Sequence, residues 1–347
     1  MIEFRYSQLL NIVIHNVGNK ANDEGCQFSS AIIEPNNELR NLLLHYFVTP
    51  FKSEEYNCFY HESDLNFNEV YSYVSKIFDC QSSIYEQSIN LAKHLYEKST
   101  HAKIKGGEFY VVYFKSCMID GKIIDAVGLF KSENKDTFLR VYPLAGCFEI
   151  ESEKGININK LDKGCLIFNT EKETGYLVAV VDNTNKGVDA KYWIEDFLHI
   201  SPHKDDFHNT QNVLSLCRNF VEKELPQEFD VSKADQAIFL SKTVSAFKNN
   251  SSIDMKQFAK EVFIQPDVIE RFSKYKTAYQ QERDIQIDEI FDVSEQALKK
   301  KAKGKMSTIR LDKNFDISIH GGDEFIQRGY DENKEMYYYQ LFFKEEK

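Results

Sequence analysis

The chain has 347 residues, 42% apolar and 14% aromatic, and its 43 Lys and Arg against 54 Asp and Glu give a net charge of −11. This composition excludes long disorder, because so apolar a chain can bury real cores. It also excludes a nucleic-acid surface that covers a whole domain, so any such surface must be a local patch. No long apolar run occurs, which predicts no membrane span, and the polar start at residues 1–10 predicts a cytoplasmic protein.

The cysteines predict free thiols in a reducing compartment. The seven are Cys26, Cys58, Cys80, Cys117, Cys147, Cys165 and Cys217. Their number is odd and no two show the Cys-x-x-Cys spacing, which argues against a disulfide framework and against a zinc knuckle. We therefore expect no metal and no cofactor.

The N-terminal part of the chain predicts an α+β domain. In chain order the patterns indicate a strand at 11–20, helices at 38–48, 68–78 and 82–98, and strands at 108–119, 122–131, 137–141, 164–168 and 175–181. The Asp120-Gly121 pair between two alternating runs is the strongest hairpin signal in the chain. Because short turns join the strands, we expect an antiparallel meander with the N-terminal helices packed on it.

A domain boundary is predicted at Leu225, which divides the chain into residues 1–225 and 226–347. A helix at 213–224, ended by Pro226, precedes it. The second domain is expected to hold helices at 232–247, 254–262 and 266–281, a basic helix at 294–303, a β-ribbon and a closing strand at 337–343. The first domain has 23 cations and 32 anions, a net of −9, and the second has 20 and 22, a net of −2. The acidic first domain is expected to serve dimerisation or a protein partner.

Residues 294–322 carry the densest positive charge. Between 299 and 313 seven cations accompany one anion, Asp312, for a local sum of +6. Such a run attracts phosphates, because each neutralised phosphate releases a condensed counterion. Helical composition at 294–303 leads into apolar alternation around a turn at 312–314, which predicts a β-ribbon. A solvated helix end and a polar turn explain the same composition equally well.

The histidines suggest one weak candidate for a metal or catalytic site. The cluster consists of His199, His203 and His208, with Asp205 and Asp206 between them. Its spacings of four and five, interrupted by Pro202, indicate a loop, whereas metal ligands usually share a helix or hairpin. We expect a polar loop in which Asp206 or a neighbour caps the next helix. The phosphate-binding, dinucleotide and hydrolase motifs do not occur, so no enzyme is predicted.

Four separated blocks carry a resemblance. They are IVIHNVGNK near the start, IDGKIIDAVGLFKSENKDTFLRV at 119–141, AKYWIEDFL at 190–198, and ALKKKAKGKMSTIRLDKNFDISIHG at 297–321 followed by the aromatic tail YYYQLFF. Taken in this order across nearly the whole chain, they resemble bacterial nucleoid-associated proteins of the NdpA/YejK type. The resemblance implies association with the bacterial nucleoid and DNA binding, and it transfers no catalytic motif.

The sequence therefore predicts a cytoplasmic, nucleoid-associated homodimer that binds double-stranded DNA. Phosphate contacts would dominate, with weak sequence preference. The expected ligands are first Lys299, Lys300, Lys301, Lys303 and Lys305, and second Arg310 and Lys313 on the ribbon. Two alternatives stay open: an adaptor that binds a DNA-processing protein through its acidic N-terminal part, and an enzyme in which the His199–His208 loop meets other acids in a pocket.

Overall fold

The computed structural model describes residues 2–53, 55–144, 146–184, 192–283, 285–302, 308–318 and 325–345. Contacts divide the chain into two compact units, Met1–His203 and Lys204–Lys347. Each unit combines helices with antiparallel strands, which confirms the predicted α+β class.

The first unit is built on one large antiparallel sheet. Its elements are β1 Ile2–Glu3, β2 Gln8–Val17, β3 Cys26–Gln27, α1 Asn37–Val48, β4 Tyr56–Phe59, α2 Glu69–Asp79, α3 Ile84–Lys98, β5 Gly107–Ile119, β6 Lys122–Ser132, β7 Asp136–Leu144, β8 Cys147–Gly155, β9 Lys163–Phe168, β10 Leu177–Asp182, a π-helix Ile194–Leu198 and β11 Ile200–Pro202. Within the described residues the sheet runs in the order β11-β4-β10-β9-β6-β5-β2-β3, and β1 also pairs with β5. The run β5-β6-β9-β10 is the predicted meander.

The central strand β5 is buried on both faces of the sheet. Phe109 and Val111 enter a core that they share with α2 and α3. Tyr110 and Val112 enter a second core that they share with α1. This is the period-two alternation of a strand, and it explains why the segment is continuously apolar, since neither face meets water.

One predicted meander strand lies outside the large sheet. β7, which covers the predicted strand at 137–141, pairs with β8 as a separate ribbon. The carboxylate of Asp162 accepts hydrogen bonds from the backbone N–H groups of Glu133 and Asn134, at 2.6 and 2.8 Å. These bonds hold the turn after β6, where the chain leaves the sheet. The sequence did not predict β8, because its EIESEK segment is too acidic to resemble a half-buried strand.

The second unit is a helical core that carries two β-ribbons. Its elements are α4 Asp206–Asn219, a π-helix Phe220–Glu224, α5 Leu225–Glu228, α6 Lys233–Asn249, β12 Ser252–Asp254, α7 Met255–Phe263, α8 Pro266–Arg283, β13 Ile290–Asp292, α9 Glu295–Ala302, β14 Thr308–Leu311, β15 Phe315–Ser318, β16 Ile326–Asp331 and β17 Met336–Leu341. The two ribbons are β14–β15 and β16–β17, and the short strands β12 and β13 form a third antiparallel pair within the helical core. The two ribbons pack through Ile309 and Ile326 against Ala234, Ala237 and Ile238 of α6.

The units divide at His203, whereas the sequence places the domain boundary at Leu225. Leu225 is fully buried in the core of the second unit, together with Phe220 and Val221. Pro226 does not stop the helical path, because it lies in the first turn of α5, where its missing N–H is no loss. A cut at Leu225 would therefore separate α4 from the helices on which it packs.

Replacement of Phe47 by alanine should strongly destabilise the first unit. The Phe47 ring stacks on Phe130 at 4.2 Å between centroids and has no exposed surface, so the change leaves a cavity between α1 and the sheet. We expect a loss of about 3–5 kcal/mol of unfolding free energy, measured by urea denaturation. Leu42→Ala on the same helix is the control, since Leu42 is 42% exposed and should lose less than about 1 kcal/mol. Equal losses in the two variants would contradict this packing.

Candidate nucleic-acid interface

The basic helix predicted at 294–303 corresponds to α9. The Ser294 hydroxyl oxygen accepts a hydrogen bond from the Ala297 N–H at 3.3 Å, which caps the start of the helix. Ala297 and Leu298 are buried and anchor the helix to the second unit. The last turn presents Lys299, Lys300 and Lys301 at the negative end of the helix dipole, where cations are favoured.

The three lysines of α9 point in different directions. The ammonium group of Lys299 lies 2.9 Å from the Glu295 carboxylate, one turn earlier on the helix. The ammonium group of Lys300 lies 5.8 Å from the centroid of the Phe207 ring. Lys301 lines a pocket together with Arg218 and Arg283. This divergence follows from helix geometry, because consecutive residues are about 100° apart around the axis.

The second-choice ligands lie on the ribbon β14–β15. Arg310 and Asp316 face each other in the strand register, and their side chains form an exposed ion pair at 3.5 Å. Lys313 is exposed in the turn, where Asp312 takes the left-handed backbone conformation at φ 52°. Lys303 and Lys305 lie outside the described residues.

The acids that precede the lysine run have several partners. Glu295 pairs with Lys299, whereas Glu289 pairs with Lys276 at 2.7 Å. The carboxylate of Asp288 accepts a hydrogen bond from the Asn209 side chain at 2.8 Å. Glu295 therefore directly neutralises one predicted phosphate ligand.

His203 and His208 of the histidine loop each contact a carboxylate within their own unit. His203 lies 2.7 Å from the Glu171 carboxylate within the first unit. His208 lies 3.0 Å from the Asp205 carboxylate within the second unit. The same Asp205 carboxylate accepts the His208 backbone N–H at 2.9 Å and caps α4, as expected of this segment. Across the described ranges, no three His, Cys, Asp or Glu side chains are placed to hold a metal ion.

A cluster of buried charges in the first unit was missed by the sequence reasoning. Lys131 and Lys163 face each other on β6 and β9, and neither has exposed surface. Like charges placed opposite each other on neighbouring strands repel, so the pair needs compensation. Lys163 contacts both carboxylate oxygens of Asp182 at 2.9 Å, and Lys131 lies 3.3 Å from the Glu133 carboxylate. The sequence did contain a signal for this cluster, because Lys131 ends an apolar strand and Glu133 follows it two residues later.

Tyr192 lies between the two buried lysines. Its ring centroid is 5.4 Å from the Lys131 ammonium and 5.1 Å from that of Lys163. Its hydroxyl donates to the Glu133 carboxylate at 2.6 Å, and burial raises the pKa of this hydroxyl far above its usual range. Burial lowers the pKa of Lys131, while the Glu133 carboxylate acts in the opposite direction. The cluster is closed to solvent and supports the sheet; it offers no surface for nucleic acid.

Comparison with known proteins gives one family. A family model described as nucleoid-associated protein YejK matches residues 13–337, which includes most of both units. No curated protein matches the chain. In the part of the chain that the structure describes, no helix has the length and apolar character needed to cross a membrane.

Replacement of Lys163 by methionine should destabilise the first unit by about 3–5 kcal/mol, because it breaks an ion pair whose Lys163 side chain has no exposed surface. The double change Lys163→Met with Asp182→Leu should recover most of this loss, since it removes both charges. Urea denaturation measures both variants. Lys154→Met, at an exposed position of β8, is the control and should change the unfolding free energy by less than about 0.5 kcal/mol. A double variant as unstable as the single one would show that the ion pair is not the source of the effect.

Proposed function

Because the chain belongs to the nucleoid-associated protein YejK family, which the sequence predicted, we propose that it binds double-stranded DNA through cations of its second unit. The observation that carries the proposal is the family match itself, which extends over residues 13–337 and so includes every predicted phosphate ligand. The family is one of nucleoid-associated proteins and not of enzymes.

The geometry of α9 supports binding through phosphates. Lysine is a flexible point charge on a long stem, which suits phosphate better than the two-pronged reading of a base edge. The Lys299 side chain is 71% exposed, and its surface pair with Glu295 is weak enough for a phosphate to replace the carboxylate. Arg310 and Lys313 would extend the contact along the ribbon. Sequence preference would be weak, since phosphate contacts carry no base information.

The first unit would form the contact between the two copies of the chain in a dimer. We propose a homodimer located at the nucleoid in the cytoplasm, and the ribbon β7–β8 supports this assignment. Leu139, Val141, Phe148 and Ile150 lie on one face of the ribbon and are 58–76% exposed. An apolar face of this kind is typical of a protein contact.

The second candidate function is an adaptor for a DNA-processing protein. The opposite face of the β7–β8 ribbon carries Glu149, Glu151 and Glu153, all exposed. This acidic face would suit a basic protein surface, because complementary charge steers association. DNA contact would then be secondary to the protein contact.

The triple variant Lys299→Ala, Lys300→Ala, Lys301→Ala tests the DNA proposal. We expect the log–log dependence of affinity on salt to flatten by roughly two to three units, because up to three fewer counterions are released. Affinity should fall alike for several unrelated duplexes, each measured at two salt concentrations. The control Lys52→Ala, Lys122→Ala, Lys154→Ala removes the same charge from exposed positions of the first unit. An unchanged slope in the first triple variant would place the DNA surface elsewhere, and a loss confined to one duplex would mean that these lysines read sequence.

Separate fragments test the proposal that the second unit, and not the first, binds DNA. The fragment 1–203 contains the complete sheet, so we expect it to unfold cooperatively and to bind duplex DNA at least about tenfold more weakly than the full chain. The fragment 1–225 adds α4 without its packing partners and should aggregate more readily. DNA binding by fragment 1–203 as tight as that of the full chain would contradict the assignment and would favour a DNA surface in the first unit.

A further inference from the structure

A pocket in the second unit brings together three cations that are far apart in sequence. Arg218 comes from the end of α4, Arg283 from the end of α8, and Lys301 from the end of α9. The pocket volume is about 630 Å³, within the range of small-ligand sites. Among the lining residues that the structure describes, these three are charged and none is a carboxylate. A concave surface of this composition attracts anions.

The two arginines are held in place but are not fully neutralised. The Arg218 Nε group is buried and has no hydrogen-bond partner within the described residues. The Glu222 carboxylate lies 4.0 Å from it, which is too far for a hydrogen bond. The Arg283 guanidinium lies over the buried Tyr279 ring, 4.5 Å from its centroid, and this cation–π contact helps to hold it in place. The Arg218 side chain is nevertheless 40% exposed, so an anion in the pocket can reach its guanidinium group although the Nε atom itself is buried.

Two of the uncharged polar side chains of the pocket are already bonded to the α4 backbone. The Ser215 hydroxyl donates to the Gln211 carbonyl oxygen at 2.8 Å, and the Asn219 side-chain amide donates to the Ser215 carbonyl oxygen at 2.9 Å. A ligand would therefore meet the three cations together with Asn212 and Tyr279, which also line the pocket. Two arginine forks and one ammonium match a group with several charged oxygens, and phosphate fits this pattern better than a single carboxylate.

We propose that the pocket formed by Arg218, Arg283 and Lys301 binds a phosphate group. The phosphate belongs either to a free nucleotide or to the DNA backbone, and the same three cations would recognise both. This site is distinct from the phosphate contacts proposed for Lys299 and Lys300, which lie on other sides of α9, although Lys301 is common to both proposals.

The first measurement uses inorganic pyrophosphate and ADP, titrated calorimetrically into the full chain at low salt. We expect one site per chain, with binding weakened about tenfold to a hundredfold in Arg218→Gln and in Arg283→Gln, as for loss of a charged hydrogen bond. Arg218→Lys keeps the charge without the fork and should bind with intermediate affinity. Arg140→Gln, on the exposed ribbon β7, is the matched control and should bind as the native chain does. Thermal unfolding of each variant shows whether the fold is intact.

The second measurement titrates duplex DNA into the same variants and identifies the source of the phosphate. Pyrophosphate binding that persists when the protein is saturated with DNA supports a free nucleotide. Loss of DNA affinity in both arginine variants, with no pyrophosphate binding by the native chain, supports a backbone phosphate. Native-like behaviour of both arginine variants toward both ligands overturns the proposal. The double variant Lys299→Ala, Lys300→Ala separates the two proposals, since it should weaken DNA binding and leave pyrophosphate binding unchanged.

Discussion

The central strand β5 sends alternate side chains into two separate cores, and the rest of the first unit follows from this double burial. α1 must cover one face and α2 with α3 the other, so neither face of the sheet is left for a ligand. The layers are tight enough that a Cβ on Gly128 would lie 2.4 Å from the Phe130 ring and 2.6 Å from the Phe114 ring. Lys131 and Lys163 end in this closed interior, which is why each is matched by a carboxylate. The charges of the first unit therefore act outward from its loops, from the exposed faces of its helices and from the β7–β8 ribbon.

The second unit differs from the first because the cations proposed to bind phosphate must lie at its surface and not in its core. They must do so in a chain whose net charge is −11. A run of lysines in the sequence does not become a row on the surface, since the helix distributes Lys299, Lys300 and Lys301 around its axis. The convergence that the structure does produce combines Lys301 with Arg218 and Arg283, which are contributed by other helices. Local charge density in the sequence and charge density on the folded surface are thus separate properties, and the second governs the recognition of phosphate.

Much of the fold could be predicted from the sequence because its signals are local. Apolar spacing predicted α3, the Asp120-Gly121 turn predicted the β5–β6 hairpin, and alternation predicted the ribbon β14–β15. The features that escaped prediction depend on residues far apart in the chain. The carboxylate of Asp162 redirects the chain after β6, and Lys163 looks like a surface residue until β6 places Lys131 opposite it. For the candidate site, the seven cations could be named from the sequence, but the pocket could not, because it depends on how three helices end.

Because the chain is synthesised from its N-terminus, β4 is made long before the strands with which it pairs. β4, at Tyr56–Phe59, bonds to β10 on one side and to β11 on the other, so its sheet neighbours are synthesised more than a hundred residues after it. The sheet is complete only when Ile200–Pro202 has been made, immediately before the second unit begins. Pairing between distant segments slows folding. β4 is thus made early and stays unpaired until residues 177–202 have been made, and an unpaired strand edge is open to association with other chains during that interval.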